Sequence, residues 1–201
     1  RRGRRELLMK SYKVFMKEAK DKVAVFAFGR MNPPTLGHSK LIIKVMSVAK
    51  NTGGIPMVFP SKTEDKKKNP LSFKTKVRVL VDVFGRVINT DVSIKTPFDV
   101  LDYLNKKKFS KVFFVVGSDR VNEFQKNMGK YVDSDLDNIK VFSVVSAGDR
   151  DPDAEGVTGM SGSKMREFVV KDKFSKFKSG LMTKNLGLAK AVFKEIGKKL
   201  K

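Results

Sequence analysis

The sequence contains no cysteine and no tryptophan, and it has a single histidine, His38. Without cysteine the chain can form neither a disulfide framework nor a thiolate zinc site, and it has no thiol nucleophile. One histidine is too few for a metal site built from several imidazoles. No apolar run approaches the roughly 20 residues that a membrane-spanning helix needs. These absences exclude several classes of protein, and we expect a cytoplasmic protein that does not insert into membranes.

Acidic residues are scarce, because 21 aspartates and glutamates face 43 lysines and arginines for a formal charge of +22. The excess is concentrated near the two ends of the chain. Residues 1–20 carry eight basic and two acidic side chains, and residues 164–201 carry twelve and three. A field of this sign attracts polyanions, so non-specific contact with nucleic acid through the basic termini is one expectation. A highly soluble, solvated surface is the other.

Short apolar runs alternate with amphipathic segments through the middle of the chain. The runs predict five strands, at residues 22–28, 55–59, 92–94, 111–116 and 141–145. The alternation predicts an α/β fold with a five-stranded parallel sheet, helices on both faces and basic helical termini. We expect a basic amphipathic helix within residues 1–20, the main domain over 21–172 and a basic helical extension over 173–201.

The clearest local motif is the turn at residues 29–38, which follows the first strand and precedes an amphipathic segment expected to form a helix from Ser39. A helix start gathers unpaired backbone N–H groups and the positive end of the helix dipole, so this arrangement suits a phosphate group. Polar clusters at Lys62, at 117–119 and at 161–166 also follow strands or open helices. Ligands of parallel sheets bind beyond the carboxyl ends of the strands, so these clusters predict a phosphate-rich ligand at that edge.

Motifs of several other enzyme classes are missing. No Gly-x-Gly-x-x-Gly follows the first strand and no Gly-x4-Gly-Lys-Ser/Thr is present, so neither dinucleotide oxidoreductase nor P-loop chemistry is supported. A serine, histidine and aspartate triad around His38 is formally available, but no Gly-x-Ser-x-Gly elbow accompanies it.

Two motifs more than a hundred residues apart carry a family resemblance. Thr35-Leu36-Gly37-His38 resembles the T/H-x-G-H signature of the nucleotidylyltransferase superfamily, and Met160–Arg166 resembles its late I-S-x-T/S-x-I/L-R/K motif. Pro60-Ser61-Lys62 is similar to a motif of pantetheine-phosphate adenylyltransferases. Gly117-Ser118-Asp119 is similar to a motif of nicotinamide and nicotinate mononucleotide adenylyltransferases. The resemblance spans about residues 22–170 and implies a Rossmann-like fold.

The resemblance also implies a reaction. An acceptor phosphate, such as that of nicotinamide mononucleotide, attacks the α-phosphorus of a nucleoside triphosphate, and pyrophosphate leaves. ATP is the expected nucleotide, with Mg²⁺ arriving mainly on the triphosphate, and no dedicated metal site is visible in the sequence. The segments Lys68–Phe73 and Ser161–Arg166 further resemble predicted nucleotidylyltransferases of tailed phages.

Each motif residue has a role implied by the resemblance. His38 and Thr35 are expected to bind the phosphates, with His38 on the α-phosphate in the transition state. Ser161 and Ser163 are expected on the β- and γ-phosphates, and Arg166 is expected to neutralise the departing pyrophosphate. Lys62 is the predicted ligand of the acceptor phosphate. The other predicted nucleotide-binding residues are Gly29, Arg30, Met31, Asn32, Gly37, Gly117 and Asp119.

Two alternatives stay open at this point. One is a non-catalytic, nucleic-acid-associated protein, such as a component packaged in a phage virion, that retains the fold. The other is a cytidylyltransferase that acts on a phospho-alcohol, although Glu155-Gly156 only faintly echoes the Arg-Thr-Glu-Gly-Ile-Ser-Thr signature of those enzymes. The sequence leaves open the acceptor, the choice between ATP and CTP, and whether the chain forms a homo-oligomer.

Overall fold

The computed structural model of the chain describes residues 22–148 and 160–200. The predicted N-terminal helix and Glu155-Gly156 lie outside the described residues. The strands are β1 (Val23–Gly29), β2 (Ile55–Pro60), β3 (Lys111–Val116) and β4 (Val141–Ser146). The α-helices are α1 (Leu36–Thr52), α2 (Phe73–Phe84), α3 (Pro97–Lys106), α4 (Val121–Asp135), α5 (Gly162–Val170), α6 (Phe174–Gly180) and α7 (Leu186–Leu200).

The strands form one parallel sheet in the order β2-β1-β3-β4. The chain moves from β1 outward to β2 and then crosses to β3 on the other side of β1. The strand order therefore reverses between β1 and β3, and the carboxyl ends of these two strands flank the crevice where such sheets bind ligands. The predicted α/β class with a parallel sheet is confirmed.

The prediction of a fifth strand at 92–94 is wrong. The chain beside β2 makes a single isolated bridge, between Val58 and Ile88, and then turns away. The Asn89 side-chain oxygen accepts the Asp91 N–H at 2.8 Å, and Asp91 Oδ1 accepts the Ser93 N–H at 2.9 Å. These short polar side chains satisfy backbone groups that a strand would use, so β2 stays the edge of the sheet.

The core lies on both faces of the sheet, as the alternation of side chains along β1 dictates. Val25 and Ala27 face a cluster formed with α1, α2, α5, α6 and α7, in which Ile42, Leu80 and Val192 are fully buried. The opposite face packs against α3 and α4, and its fully buried residues include Ala24, Phe26, Leu101, Leu104 and Met128. The predicted placement of helices on both faces is thereby confirmed.

The C-terminal helices belong to the same core cluster as β1 and α1. Phe177 of α6 and Ile196 of α7 are fully buried in it. Between these helices, Leu181 forms an isolated antiparallel bridge with Thr35, and the Met182 N–H donates to the Pro34 carbonyl at 3.3 Å. Residues 173–200 therefore contact the turn that follows β1. The boundary at 172/173 stays a prediction.

Candidate active site

The turn after β1 is held in place by Asn32. Its side-chain amide donates to the Leu71 carbonyl at 2.9 Å, and its side-chain oxygen accepts the Leu71 N–H at 2.9 Å. Asn32 is buried, Met31 before it has a left-handed φ of 43°, and a cis peptide bond joins Asn32 to Pro33. The paired hydrogen bonds fix the turn to the segment that leads into α2.

Thr35 and His38 form a local pair at the start of α1, which begins at Leu36 rather than at the predicted Ser39. The Thr35 N–H lies 3.1 Å from His38 Nδ1, and Thr35 Oγ1 lies 2.9 Å from the same atom. A backbone N–H can only donate, so Nδ1 is the acceptor and a neutral imidazole carries its proton on Nε2. Thr35 therefore sets both the orientation and the tautomer of the ring.

The late motif opens α5, and its arginine reaches back to the first motif. Ser161 caps the helix by accepting the Lys164 N–H at 3.2 Å. Arg166 Nη2 donates to Ser163 Oγ at 3.0 Å, and Arg166 Nη1 donates to the Asn32 carbonyl at 2.8 Å. The guanidinium thus joins two segments that lie 134 residues apart in the sequence.

Two glycines allow the motifs to interlock. A methyl group built on Gly162 would lie 3.0 Å from the Asn32 carbonyl oxygen, and one on Gly37 would lie 3.3 Å from the Met160 carbonyl oxygen. Each motif therefore presses a residue without a Cβ against the backbone of the other. This contact brings the starts of α1 and α5, with the positive ends of their helix dipoles, to the same side of the turn.

Positive charge gathers at this junction. Burial lowers the pKa of Arg166 from its usual range, the nearby Arg30 lowers it further, and Asp65 acts in the opposite direction. Two guanidinium groups that repel each other beside two helix starts are stabilised by an anion placed between them. The junction is accordingly suited to phosphate.

The comparisons with known proteins agree with this geometry. The sequence profile of the family described as cytidylyltransferase-like matches residues 26–175, three quarters of the chain. The chain belongs to the cytidylyltransferase-like family. The match runs from β1 through α5 and so includes both motifs. The predicted membership of the nucleotidylyltransferase superfamily is confirmed, and it supports nucleotidyl transfer as the chemistry.

Solved structures share the fold of this cytidylyltransferase-like chain. One is a protein from Vibrio parahaemolyticus described as a nicotinate-nucleotide adenylyltransferase, with a TM-score of 0.55 and 14% sequence identity. The similarity covers 86% of this chain and 98% of that one. At this identity the likeness establishes the fold alone. Comparison with curated protein sequences finds no match.

The other predicted residues of the family site lie at the same sheet edge but farther along it. Lys62 follows β2, and its ammonium donates to the Val92 carbonyl at 2.6 Å, in the loop that was predicted as a strand. Gly117 is buried directly after β3, and Asp119 is exposed in the short 3₁₀ turn Ser118–Arg120. Since β3 adjoins β1, Gly117 and Asp119 border the crevice, while Lys62 lies on its β2 side.

Sequence reasoning missed Lys76, a fully buried lysine in the first turn of α2. Its ammonium donates to the Ser61 carbonyl at 2.6 Å, directly beside the predicted Lys62. The signal was available, because Lys76 precedes the buried Val79 and Leu80 by three and four residues and so shares their helix face. A lysine in a predicted helix is normally assigned to the solvent-exposed face, whereas Lys76 is buried.

No group of three or more histidine, cysteine, aspartate or glutamate side chains that could hold a metal ion occurs within residues 22–148 and 160–200. In the same two ranges, no helix is both long enough and apolar enough to cross a membrane.

Proposed function

We propose that this protein transfers a nucleotidyl group, the adenylyl group of ATP, from a nucleoside triphosphate to a phosphate-bearing small molecule. The observation that carries the proposal is the interlock of the two motifs, in which Arg166 binds the Asn32 carbonyl and Gly162 abuts it. Together with the contact of Gly37 with the Met160 carbonyl, it supports one site shared by the segments that carry Thr35 and His38 and Ser161 and Ser163. A triphosphate has three linked phosphate groups, so different phosphates of one molecule would engage the two helix starts.

The reaction is an in-line displacement. An oxygen of the acceptor phosphate forms a bond to the α-phosphorus, the bond from that phosphorus to the bridging oxygen breaks, and pyrophosphate departs with the electron pair. His38, held by Thr35 with its proton on Nε2, donates a hydrogen bond to the α-phosphate as charge develops there. No covalent intermediate on the protein is required, so catalysis consists of positioning and charge stabilisation.

The late motif would receive the leaving group. Ser161 and Ser163 lie at the start of α5, where hydroxyl groups and unpaired backbone N–H groups suit the β- and γ-phosphates. Arg166 and Arg30 would neutralise the charge that accumulates on pyrophosphate. Gly37 would let the nucleotide lie close to the backbone of the turn. Mg²⁺ would enter on the triphosphate, with phosphate oxygens as its ligands.

The acceptor would bind on the far side of the crevice. Lys62, on the β2 side, is the proposed ligand of the acceptor phosphate, and Gly117 and Asp119, after β3, are the proposed contacts of a ribose or of the acceptor. Likeness in fold to a nicotinate-nucleotide adenylyltransferase favours a mononucleotide acceptor. The description of the family favours CTP as the competing donor, so both nucleotides need testing.

The test is pyrophosphate release from ATP or CTP in the presence of nicotinamide mononucleotide, nicotinate mononucleotide or phosphopantetheine. We expect one donor and acceptor pair to give release well above that of either component alone. Controls omit the acceptor or the protein. The absence of release with every pair, from a folded protein, would reject the proposal.

A second candidate function is contact with nucleic acid, and α7 favours it. Lys190, Lys194 and Lys198 recur every fourth residue and are all exposed, so they form one basic stripe. The only acid of this helix, Glu195, is turned inward to the Ser72 N–H at 2.7 Å. The stripe would engage a phosphate backbone without regard to sequence, and it is compatible with catalysis elsewhere on the protein.

A further inference from the structure

Lys76 is a cation in a place where cations are rarely found. Its side chain is fully buried, and within the described residues its ammonium has one hydrogen-bond acceptor, the Ser61 carbonyl, and no ion-pair partner. A buried ammonium without an ion-pair partner within hydrogen-bonding distance is costly, because one carbonyl only partly compensates its lost hydration. Val79 and Leu80, on the same helix face, are the kind of apolar side chain that a core position normally holds.

Ser61 connects this lysine to the proposed phosphate site. The Ser61 N–H donates to the Gly29 carbonyl at 2.8 Å, and the Ser61 carbonyl accepts from Lys76. The Ser61 hydroxyl is buried and has no hydrogen-bond partner among the described residues. A chain of contacts therefore runs from the ammonium through the turn after β2 to the last residue of β1, directly before Arg30.

We propose that Lys76 is a positioning residue of the phosphate site, which holds the Ser61 turn against Gly29 and places a positive charge beneath the bound triphosphate. This inference rests on the proposed function. It explains why a polar hydroxyl and an ammonium are buried together at the sheet edge rather than replaced by apolar side chains.

The charged groups around Lys76 determine how it responds to pH. Burial lowers the pKa of Lys76 to about 8, and Glu64, in the loop after β2, opposes that shift. From α7, Glu195 is occupied with Ser72 and Thr75. Neither β1 nor β2 has a titratable side chain. We therefore expect Lys76 of the free protein to lose its proton near pH 8.

A bound triphosphate favours the ammonium form, so nucleotide binding raises the pKa of Lys76 and takes up a proton above pH 8. The contribution of Lys76 to nucleotide affinity is complete below the pKa that Lys76 has in the free protein. This contribution is lost as the pH rises from that value toward the pKa that Lys76 has in the nucleotide complex. We therefore expect the affinity for nucleotide to fall with rising pH, by at most about tenfold per unit.

The experiment measures ATP and CTP binding by calorimetry from pH 7.5 to 9.5, a window above the second ionisation of a phosphate group. Wild type is compared with Lys76→Arg, Lys76→Met and the matched control Lys74→Met, an exposed lysine on the same helix. We expect a pH-dependent loss of affinity of about tenfold in wild type and Lys74→Met. Lys76→Arg should bind independently of pH, and Lys76→Met should bind weakly at every pH.

Two results would overturn the inference while leaving the proposed function intact. One is the same pH slope in wild type and Lys76→Met, and the other is full affinity in Lys76→Met at pH 7.5. If Lys76→Met does not fold, the comparison of wild type with Lys76→Arg still tests the inference. Equal pH dependence of nucleotide affinity in these two proteins would reject the role of Lys76. A folded wild type that binds neither ATP nor CTP at any pH would instead reject the proposed function and this inference with it.

Discussion

Asn32 shows how single residues build the site. Its side chain is hydrogen-bonded twice to Leu71, and its carbonyl receives Arg166. The residue that the sequence offered as a nucleotide ligand thus positions the turn and both motifs. Because the Asn32 carbonyl is also in contact with Gly162, the geometry of the site depends on the absence of a side chain there.

At the residue scale, Gly162→Ala tests this contact. The new methyl group would lie 3.0 Å from the Asn32 carbonyl oxygen and 3.2 Å from Arg166 Nη1, so these groups must yield by a few tenths of an ångström. We expect a loss of about 1–3 kcal/mol in the free energy of unfolding, typical of overpacking, together with weaker nucleotide binding. Urea denaturation and calorimetry measure the two effects.

Gly129→Ala is the matched control for that substitution. Gly129 lies in α4, and a methyl group there would meet only the flexible Gln125 side chain, at 3.6 Å. An alanine in this helix should raise stability by about 0.5–1 kcal/mol. If both variants were equally stable and bound nucleotide alike, the interlock would not constrain the site.

The helices and strands differ in how well the sequence predicted them. β1, β3 and α7 follow their apolar patterns closely, because each buries several apolar side chains, and β4 was also predicted although only its Val144 is buried. The pattern at 92–94 failed because Asn89 and Asp91 bind backbone groups with their side chains. Both signature motifs were evident from short residue patterns, whereas their contact through Gly37 and Gly162 depends on three-dimensional packing that no local pattern encodes.

At the element scale, we predict that removal of residues 173–201 disrupts the fold. The deletion would remove Phe177, Val192 and Ile196 from the core, and Leu181 from its bridge with Thr35. Burial of large apolar side chains contributes about 1.5–3 kcal/mol each, so the loss would exceed the stability of a typical domain once the accompanying core contacts are counted. Thermal unfolding followed by circular dichroism is the measurement.

The control for the deletion is Lys190→Ala with Lys194→Ala, which alters the exposed face of α7 and keeps its buried one. It should unfold cooperatively, near the wild-type midpoint. A cooperative transition of the shortened chain at that same midpoint would show that the boundary at 172/173 is a true domain limit.

At the scale of the whole molecule, the most prominent property is a large positive net charge. The described residues 160–200 contain eleven lysines and arginines against three acids, and the lysine stripe of α7 lies on their exposed surface. Of the lysines in α7, Lys199 is ion-paired, with Glu64 at 3.4 Å, whereas the stripe makes no ion pair with residues 22–148 or 160–200. A protein of this charge concentrates polyanions around itself at low salt.

At this scale we predict that reversing the stripe, with Lys190→Glu, Lys194→Glu and Lys198→Glu together, weakens binding to duplex DNA and to RNA. Each phosphate contact contributes about 0.9 to the slope of log affinity against log salt, so the slope should fall by up to about three. Gel shifts over a range of salt concentrations measure it. The control reverses Lys126 and Lys130 on the exposed face of α4, and an equal loss there would show that net charge, not the stripe, governs binding.

The central claim is that His38 stabilises the transition state of nucleotidyl transfer. The measurement is the rate of pyrophosphate release by His38→Ala, with the donor and acceptor pair that wild type uses best. Lys40→Ala, an exposed residue of the same helix, is the control. We expect His38→Ala to fold normally and to lose about a hundredfold to a thousandfold in rate, as is typical when one such donor is removed, while Lys40→Ala keeps the wild-type rate. A folded His38→Ala that releases pyrophosphate as fast as wild type would contradict the account.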